Sequence, residues 1–157
     1  MKKILLLILV ILALSWLVFN ANEPKTNTVL LYYYNSELDQ DITGNILCSK
    51  KGLVPITRET AVTKTPIQDT INLLISGQLT SAEKVQGITT EYPLPGFSLK
   101  GANLVNDKLT LEFTDLENQT NEGSCRVSIL WLQIEETSKQ FKEVNEVNFL
   151  PEELFQP

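Results

Sequence analysis

Hydrophobic and polar positions divide this chain into two regimes. From Ile4 to Phe19 the sequence is apolar apart from Ser15, and Lys2 and Lys3 precede the run. A basic start feeding a greasy stretch is the pattern of an export segment. After it, apolar residues recur with the spacings of strands and amphipathic helices. Thr28 to Tyr34 is β-branched and aromatic and apolar on both faces, which predicts a central strand. Leu53 to Arg58 predicts a second strand, and Pro55 inside it predicts an edge or irregular pairing. Thr65, Pro66 and Gln68 predict a helix start: a cap, a proline at the first helical position and a capping box. Ile67, Ile71 and Leu74 line that helix, and Gly77 ends it. Thr80 to Gln86 predicts a short helical turn.

The second half repeats the alternation of strand and helix. Phe97 to Val105 and Lys108 to Phe113 flank Asn106-Asp107, a pair suited to the positive φ of a hairpin turn. The alternation slips across Gly101, predicting a β-bulge. Ser124 starts a helix reaching about Phe141, with Val127, Leu130, Trp131, Ile134, Ser138 and Phe141 as its inward stripe. Glu146 to Leu150 is the last strand. The order β-β-α-β-β-α-β predicts an α+β fold, a two-layer sandwich with a mixed β-sheet and two main helices on one face. Residues 1–21 read as a signal peptide or N-terminal transmembrane anchor, 22–27 as a linker and 28–157 as one extracytoplasmic domain, long enough to bury a core.

A retained anchor is the favoured reading of the leader. Phe19-Asn20-Ala21 puts a bulky ring where a cleavage site needs a small residue, and Trp16 suits a membrane interface. The run of about 16 residues is short of the roughly 17–25 of a spanning helix, which keeps a cleaved, secreted form as the alternative. Lys2 and Lys3 stay inside by the positive-inside tendency, so the body faces outward.

Charge and chemistry narrow the function. The formal net charge is -6 with no basic stripe, which disfavours a nucleic-acid partner. Histidine is absent, removing Ser-His and Cys-His nucleophile pairs and the usual zinc sites. Ser81-Ala-Glu-Lys84 matches S-x-x-K literally, but a capped helical turn accounts for it. Glu135-Glu136 and Glu152-Glu153 are adjacent pairs that do not flank a scissile bond. No catalytic residue is assigned.

Two constellations remain. Asp39, Asp41, Thr43, Gly44 and Asn45 resemble the front of a calcium loop, with the Asn45 carbonyl as a ligand; Lys50 stands where the closing carboxylate belongs, so calcium affinity would be weak. The plain alternative is a turn with Gly44 at positive φ. Cys48 and Cys125 are the only cysteines. In an exported domain they read as a disulfide; two buried free thiols, or a Cys125 activated by a helix N-terminus, are the alternatives. Tyr32, Tyr33, Tyr34 and Trp131 read as core or sheet-face residues. Leu154 and Phe155 either pack back on the domain or serve a partner.

Leu53-Val-Pro-Ile-Thr-Arg58, Thr65-Pro-Ile-Gln-Asp-Thr-Ile-Asn-Leu-Leu-Ile-Ser-Gly77, Gly87-Ile-Thr-Thr90, Leu109-Thr-Leu-Glu-Phe113 and Glu146-Val-Asn-Phe149, in this order, resemble a GerMN domain over about Val29 to Leu150. That resemblance implies an exported, often membrane-tethered bacterial protein, similar in architecture to the ring-building modules of secretion machines, with no catalytic residues to carry over. The chain departs from the pattern in having one copy, no lipoprotein cysteine and an extended segment from Glu37 to Gly52. Together these readings lead to a non-enzymatic envelope-assembly module, its partner an envelope protein or a second copy of itself, held to the cell membrane through its N-terminal helix. The alternative is a cell-wall glycan or peptide binder, assisted by calcium.

Overall fold

Period-two alternation governs β1 (Thr26–Tyr34), which buries Val29, Leu31 and Tyr33. The structure, a computed structural model, describes residues 25–156 together with Leu12, Ser15 and Trp16. The rest of the leader and residues 22–24 of the linker lie outside the described residues. Among the described residues no helix is long and apolar enough to cross a membrane.

β1 pairs antiparallel with β2 (Leu53–Ala61), from Thr26 opposite Ala61 to Tyr34 opposite Leu53. Its other edge meets helix side chains rather than the strand that a central position would require. The Leu30 N–H donates to Gln140 Oε1 at 2.8 Å, Gln140 Nε2 donates back to the Leu30 carbonyl at 2.7 Å, and the Tyr32 N–H donates to Thr137 Oγ1 at 3.0 Å. The Gln140 amide thus occupies the place of a neighbouring peptide unit and satisfies backbone groups that would otherwise be costly to bury. Register also fixes the role of Pro55. It lies opposite Tyr32, whose N–H turns away from β2. Directly opposed antiparallel residues exchange both ladder bonds or neither, so the Pro55 nitrogen faces the free edge of β2. The predicted edge proline is there, blunting that edge.

α1 (Pro66–Ile75) buries Ile71 and Leu74. Its predicted capping box does not form: the Thr65 side chain makes no cap bond, and the Thr63 and Thr65 hydroxyls both donate to Asp69 instead. The box appears one helix later, where Thr80 and Glu83 cap α2 (Ser81–Val85) reciprocally. β3 (Phe97–Val105) and β4 (Lys108–Asp115) form the expected hairpin, with Asn106 and Asp107 at φ 48 and 64. The register shifts between Leu99 and Gly101, at the predicted bulge. β5 (Glu146–Leu150) adds parallel to β4, giving a mixed sheet in the order β3-β4-β5. The fold is α+β, with its strands divided between this sheet and the β1–β2 ribbon.

α3 (Ser124–Lys139) packs against β1, α1 and β5. It buries Val127, Leu130, Ile134 and Ser138 as the stripe predicts, and Leu132, Gln133 and Thr137 besides. Trp131 departs from the stripe. It is 40% exposed, standing edge-on to Phe149 with ring centroids 6.5 Å apart. A helix with neighbours on several sides has its dry face set by those neighbours rather than by one 3.6-residue stripe. The C-terminal turn folds back: Phe155 is buried, and its ring lies 5.1 Å from Phe149 and 6.0 Å from Phe97. Of the two readings for this tail, packing on the domain holds.

Candidate functional site

The connection between β1 and β2 carries an unusual density of local bonds. Asn35 opens it: its Oδ1 accepts from the Glu37 N–H at 2.9 Å, and its Nδ2 donates to the Gln86 carbonyl at 3.0 Å. A single 3-10 turn, Ser36–Leu38, leads to Asp39. That carboxylate is wholly buried. It accepts from the Tyr34 hydroxyl at 2.6 Å, the Ser49 N–H at 2.5 Å and the Ser49 hydroxyl at 2.5 Å. Burial pushes the Asp39 carboxyl up, but these donors outweigh it and hold the group below its ordinary value. The same contact works in reverse on Tyr34, where burial and the adjacent carboxylate push the phenol well up and keep it a donor.

The tip is closed by Asp41. Its Oδ1 accepts from the Thr43 N–H and hydroxyl, both at 2.7 Å, and from the Asn45 N–H at 2.9 Å. Its Oδ2 accepts from Asn45 Nδ2 at 3.0 Å. These bonds, the Thr43 side chain's foremost, hold the Asp41 carboxyl far below the usual range. Gly44 has φ +88, the left-handed value expected of a turn here. Gln40 and Ile46 form an isolated antiparallel bridge beneath the tip.

The base of the loop is clamped to α3. Cys48 and Cys125, 77 positions apart, are joined as a disulfide with Cα atoms 5.3 Å apart. That selects the disulfide from the three readings of the cysteines. Two residues on, Lys50 Nζ lies 3.1 Å from Glu135 and 2.5 Å from Glu136. Gly52 closes the loop against Tyr34, where a Cβ would fall 2.3 Å from the ring. This frame presents four large apolar side chains outward among exposed polar ones: Ile42 is fully exposed, and Leu38, Ile46 and Leu47 are about half exposed.

Of the four proposed calcium ligands, Asp41, Thr43 and Asn45 meet at the tip, bonded to one another, and Asp39 does not join them, so the expected set is not assembled. Asp39 is turned into the protein with both oxygens engaged. Asp41 is turned into its own turn. The Thr43 hydroxyl donates to Asp41, and the Asn45 carbonyl accepts the Asp41 N–H at 2.9 Å. Recruiting them would strip a buried carboxylate of three donors, so the donor set does not fit the ion. Sequence reasoning missed Tyr34 and Ser49 as the partners of Asp39. One signal was present: alternation cannot send both Tyr33 and Tyr34 to the same face, so one of them needed a partner elsewhere.

A second surface lies at the other sheet. Trp131, Val147, Phe149, Leu150 and Leu154 line one part of a hollow of about 530 Å³, and Thr110, Asn148, Glu152 and Gln156 give it polar walls as well. Elsewhere Arg58 ties β2 to α2: its guanidinium grips Glu83 with two bonds of 2.8 Å. That grip draws the Glu83 carboxyl down to about 2.

Comparison with known proteins then settles the family. The model described as "Germane: Sporulation and spore germination" matches residues 30–153. The chain belongs to the Germane family. Its fold is similar to that of the tandem GerMN domains of the sporulation protein GerM from Bacillus subtilis, with a TM-score of 0.50 at 19% identity, over 80% of this chain and 39% of that one. This Germane chain therefore spans about two fifths of the tandem structure. No curated protein matches it.

Proposed function

We propose that this Germane-family chain is a non-enzymatic assembly module on the outer side of a bacterial membrane, tethered by its N-terminal apolar segment and acting through protein–protein contacts. The supporting observation is the clamp between Cys48 and Cys125. Disulfides persist in oxidising compartments, and the basic and apolar leader gives the chain a route to one. The loop adds support, because its dense bonding fixes apolar side chains in water, an arrangement typical of contact surfaces. Calcium-assisted wall binding loses its motive with Asp39 turned inward.

The test is to express the full chain with its leader, crosslink it in the native membrane and identify what co-purifies. The proposal expects the chain in the membrane fraction with a reproducible protein partner or a second copy. A chain recovered only from the cytosol, or one retained by purified cell wall with no protein partner, contradicts it.

A further inference from the structure

Cys48 couples three features of the loop between β1 and β2. Its sulfur is bonded to Cys125 on α3. Its backbone lies at φ 54, a left-handed value that a residue with a Cβ keeps only when its surroundings hold it there. Its two neighbours both engage Asp39: the Leu47 N–H donates to the Asp39 carbonyl at 2.8 Å, and the Ser49 N–H and hydroxyl donate to the Asp39 carboxylate, each at 2.5 Å. The disulfide therefore bears directly on the segment that satisfies the buried acid. It is also open to attack, since Cys125 is exposed and Cys48 partly so. Cys125 is the second residue of α3, and Gly123 gives that helix no side-chain cap. An uncapped helix start favours negative charge, which makes Cys125 the better leaving thiolate of the pair. Among the described residues the other polar tie between this loop and α3 is the pairing of Lys50 with Glu135 and Glu136. The Lys50 side chain is 52% exposed there, and an ion pair so open to water holds little by itself.

We propose that the Cys48–Cys125 disulfide is a redox latch on this loop, opened by a dithiol protein in the compartment outside the membrane. One thiolate of the dithiol attacks Cys48 Sγ; the bond to Cys125 breaks, and Cys125 leaves with the electron pair. The second sulfur of the dithiol then attacks the mixed disulfide and expels Cys48. The dithiol gives up two electrons and two protons and becomes a disulfide, and Cys48 and Cys125 receive them as two thiols. Freed from α3, Cys48 relaxes from its left-handed φ and carries Leu47 and Ser49 with it. Residues 46–51 then open and close on Asp39 instead of being pinned there, with water replacing the Ser49 donors in the open state. The hydrophobic core stays folded, because among the described residues it draws none from positions 35–52. Ile46 and Leu47, ordered while the latch is closed, must be ordered again to dock, so reduction weakens contact with a partner. That last consequence rests on the assembly reading above; the latch itself does not.

The experiment uses the full chain, purified with its leader, and dithiothreitol as the dithiol. Thiol release is timed by alkylation and mass spectrometry at increasing urea. A latch is reduced in the folded state, at a rate that urea below the unfolding transition changes by less than about twofold; a purely structural bond is reduced only as the whole chain unfolds, so its rate climbs steeply with urea. Amide exchange is then compared with the bond intact and reduced. Residues 46–51 should exchange about tenfold or more faster after reduction, while residues 109–113 of β4 stay protected over the same interval. Cys48→Ser with Cys125→Ser should show the same regional pattern with no reductant present; should that variant fail to fold, the reduced parent chain carries the comparison. Reduction that follows global unfolding, protection lost from β4 together with the loop, or exchange unchanged in residues 46–51 each overturns the proposal. In the membrane, crosslinking to a partner should fall several-fold when the bond is reduced, and equal capture in both states overturns the control of contact. If no partner is captured in either state, the assembly reading fails, and the latch is still decided by the urea and exchange measurements.

Discussion

Asp39 shows how one residue can organise a loop. A buried carboxylate is tolerated only when its oxygens are engaged, and here the Tyr34 hydroxyl and both Ser49 donors engage them. Tyr34→Phe removes one donor and should destabilise the fold by about 1–3 kcal/mol in denaturant unfolding. An unchanged midpoint would show that the bond contributes nothing. A second residue-scale prediction concerns acid. Glu83 is drawn from 4.5 to about 2 by Arg58, so between those pH values the unfolded chain binds more protons than the folded one. The contribution of this pair is present above about pH 4.5 and is lost as pH falls toward 2. Stability measured across that window should decline, and Arg58→Met should flatten the part due to Glu83. At this scale the sequence was only partly legible. Asp39 and Asp41 stood out by type and spacing, but whether a carboxylate turns inward depends on Tyr34 and Ser49, which a linear motif does not link to it.

At the scale of elements, the local signals that rest on backbone geometry read well. Asn106-Asp107 tolerates the positive φ of a tight turn, Gly101 coincides with the register shift, and Pro55 lacks the N–H an inner strand needs. Signals that depend on neighbours read less well. Trp131 fell on the apolar stripe of α3, yet the stripe cannot show where β5 ends and solvent begins. The covering of β1 by Gln140 was likewise invisible, because a helix side chain serving as a strand neighbour is a tertiary event. It yields a prediction: Gln140→Ala should strip two hydrogen bonds from Leu30 and cost about 1–3 kcal/mol, while Gln140→Glu, which keeps an acceptor but sets a carboxylate oxygen against the Leu30 and Thr137 carbonyls, should cost at least as much as the alanine. Hydrogen exchange at the Leu30 amide should rise in the alanine variant. Protection equal to that of the parent would mean that the amide finds another partner. The free edge of β2 gives the complementary case. Pro55→Thr should leave stability nearly unchanged and increase aggregation on heating, measured by light scattering, because it restores an outward N–H to an unpaired strand.

At the scale of the whole molecule, the disulfide ties the loop to α3 across 77 positions. Closing a loop of that length stabilises by roughly 4 kcal/mol on a chain-entropy estimate. Replacing both cysteines with alanine should therefore lower stability by about 2–4 kcal/mol, with the loop more accessible to protease than the core. Fold class and membership of the Germane family were both foreshadowed by the ordered strands and helices. The hollow beside β5 was not legible, because its lining comes from Thr110, Trp131 and residues 147–156, which meet only after folding. The central claim is that the domain stands outside the cell, held at the membrane. Protease added to intact protoplasts expressing the native chain tests it most directly. The account predicts that the domain is digested from outside while a short N-terminal remnant stays with the carbonate-washed membrane. A domain that survives until the membrane is broken, with Cys48 and Cys125 as free thiols, would contradict it.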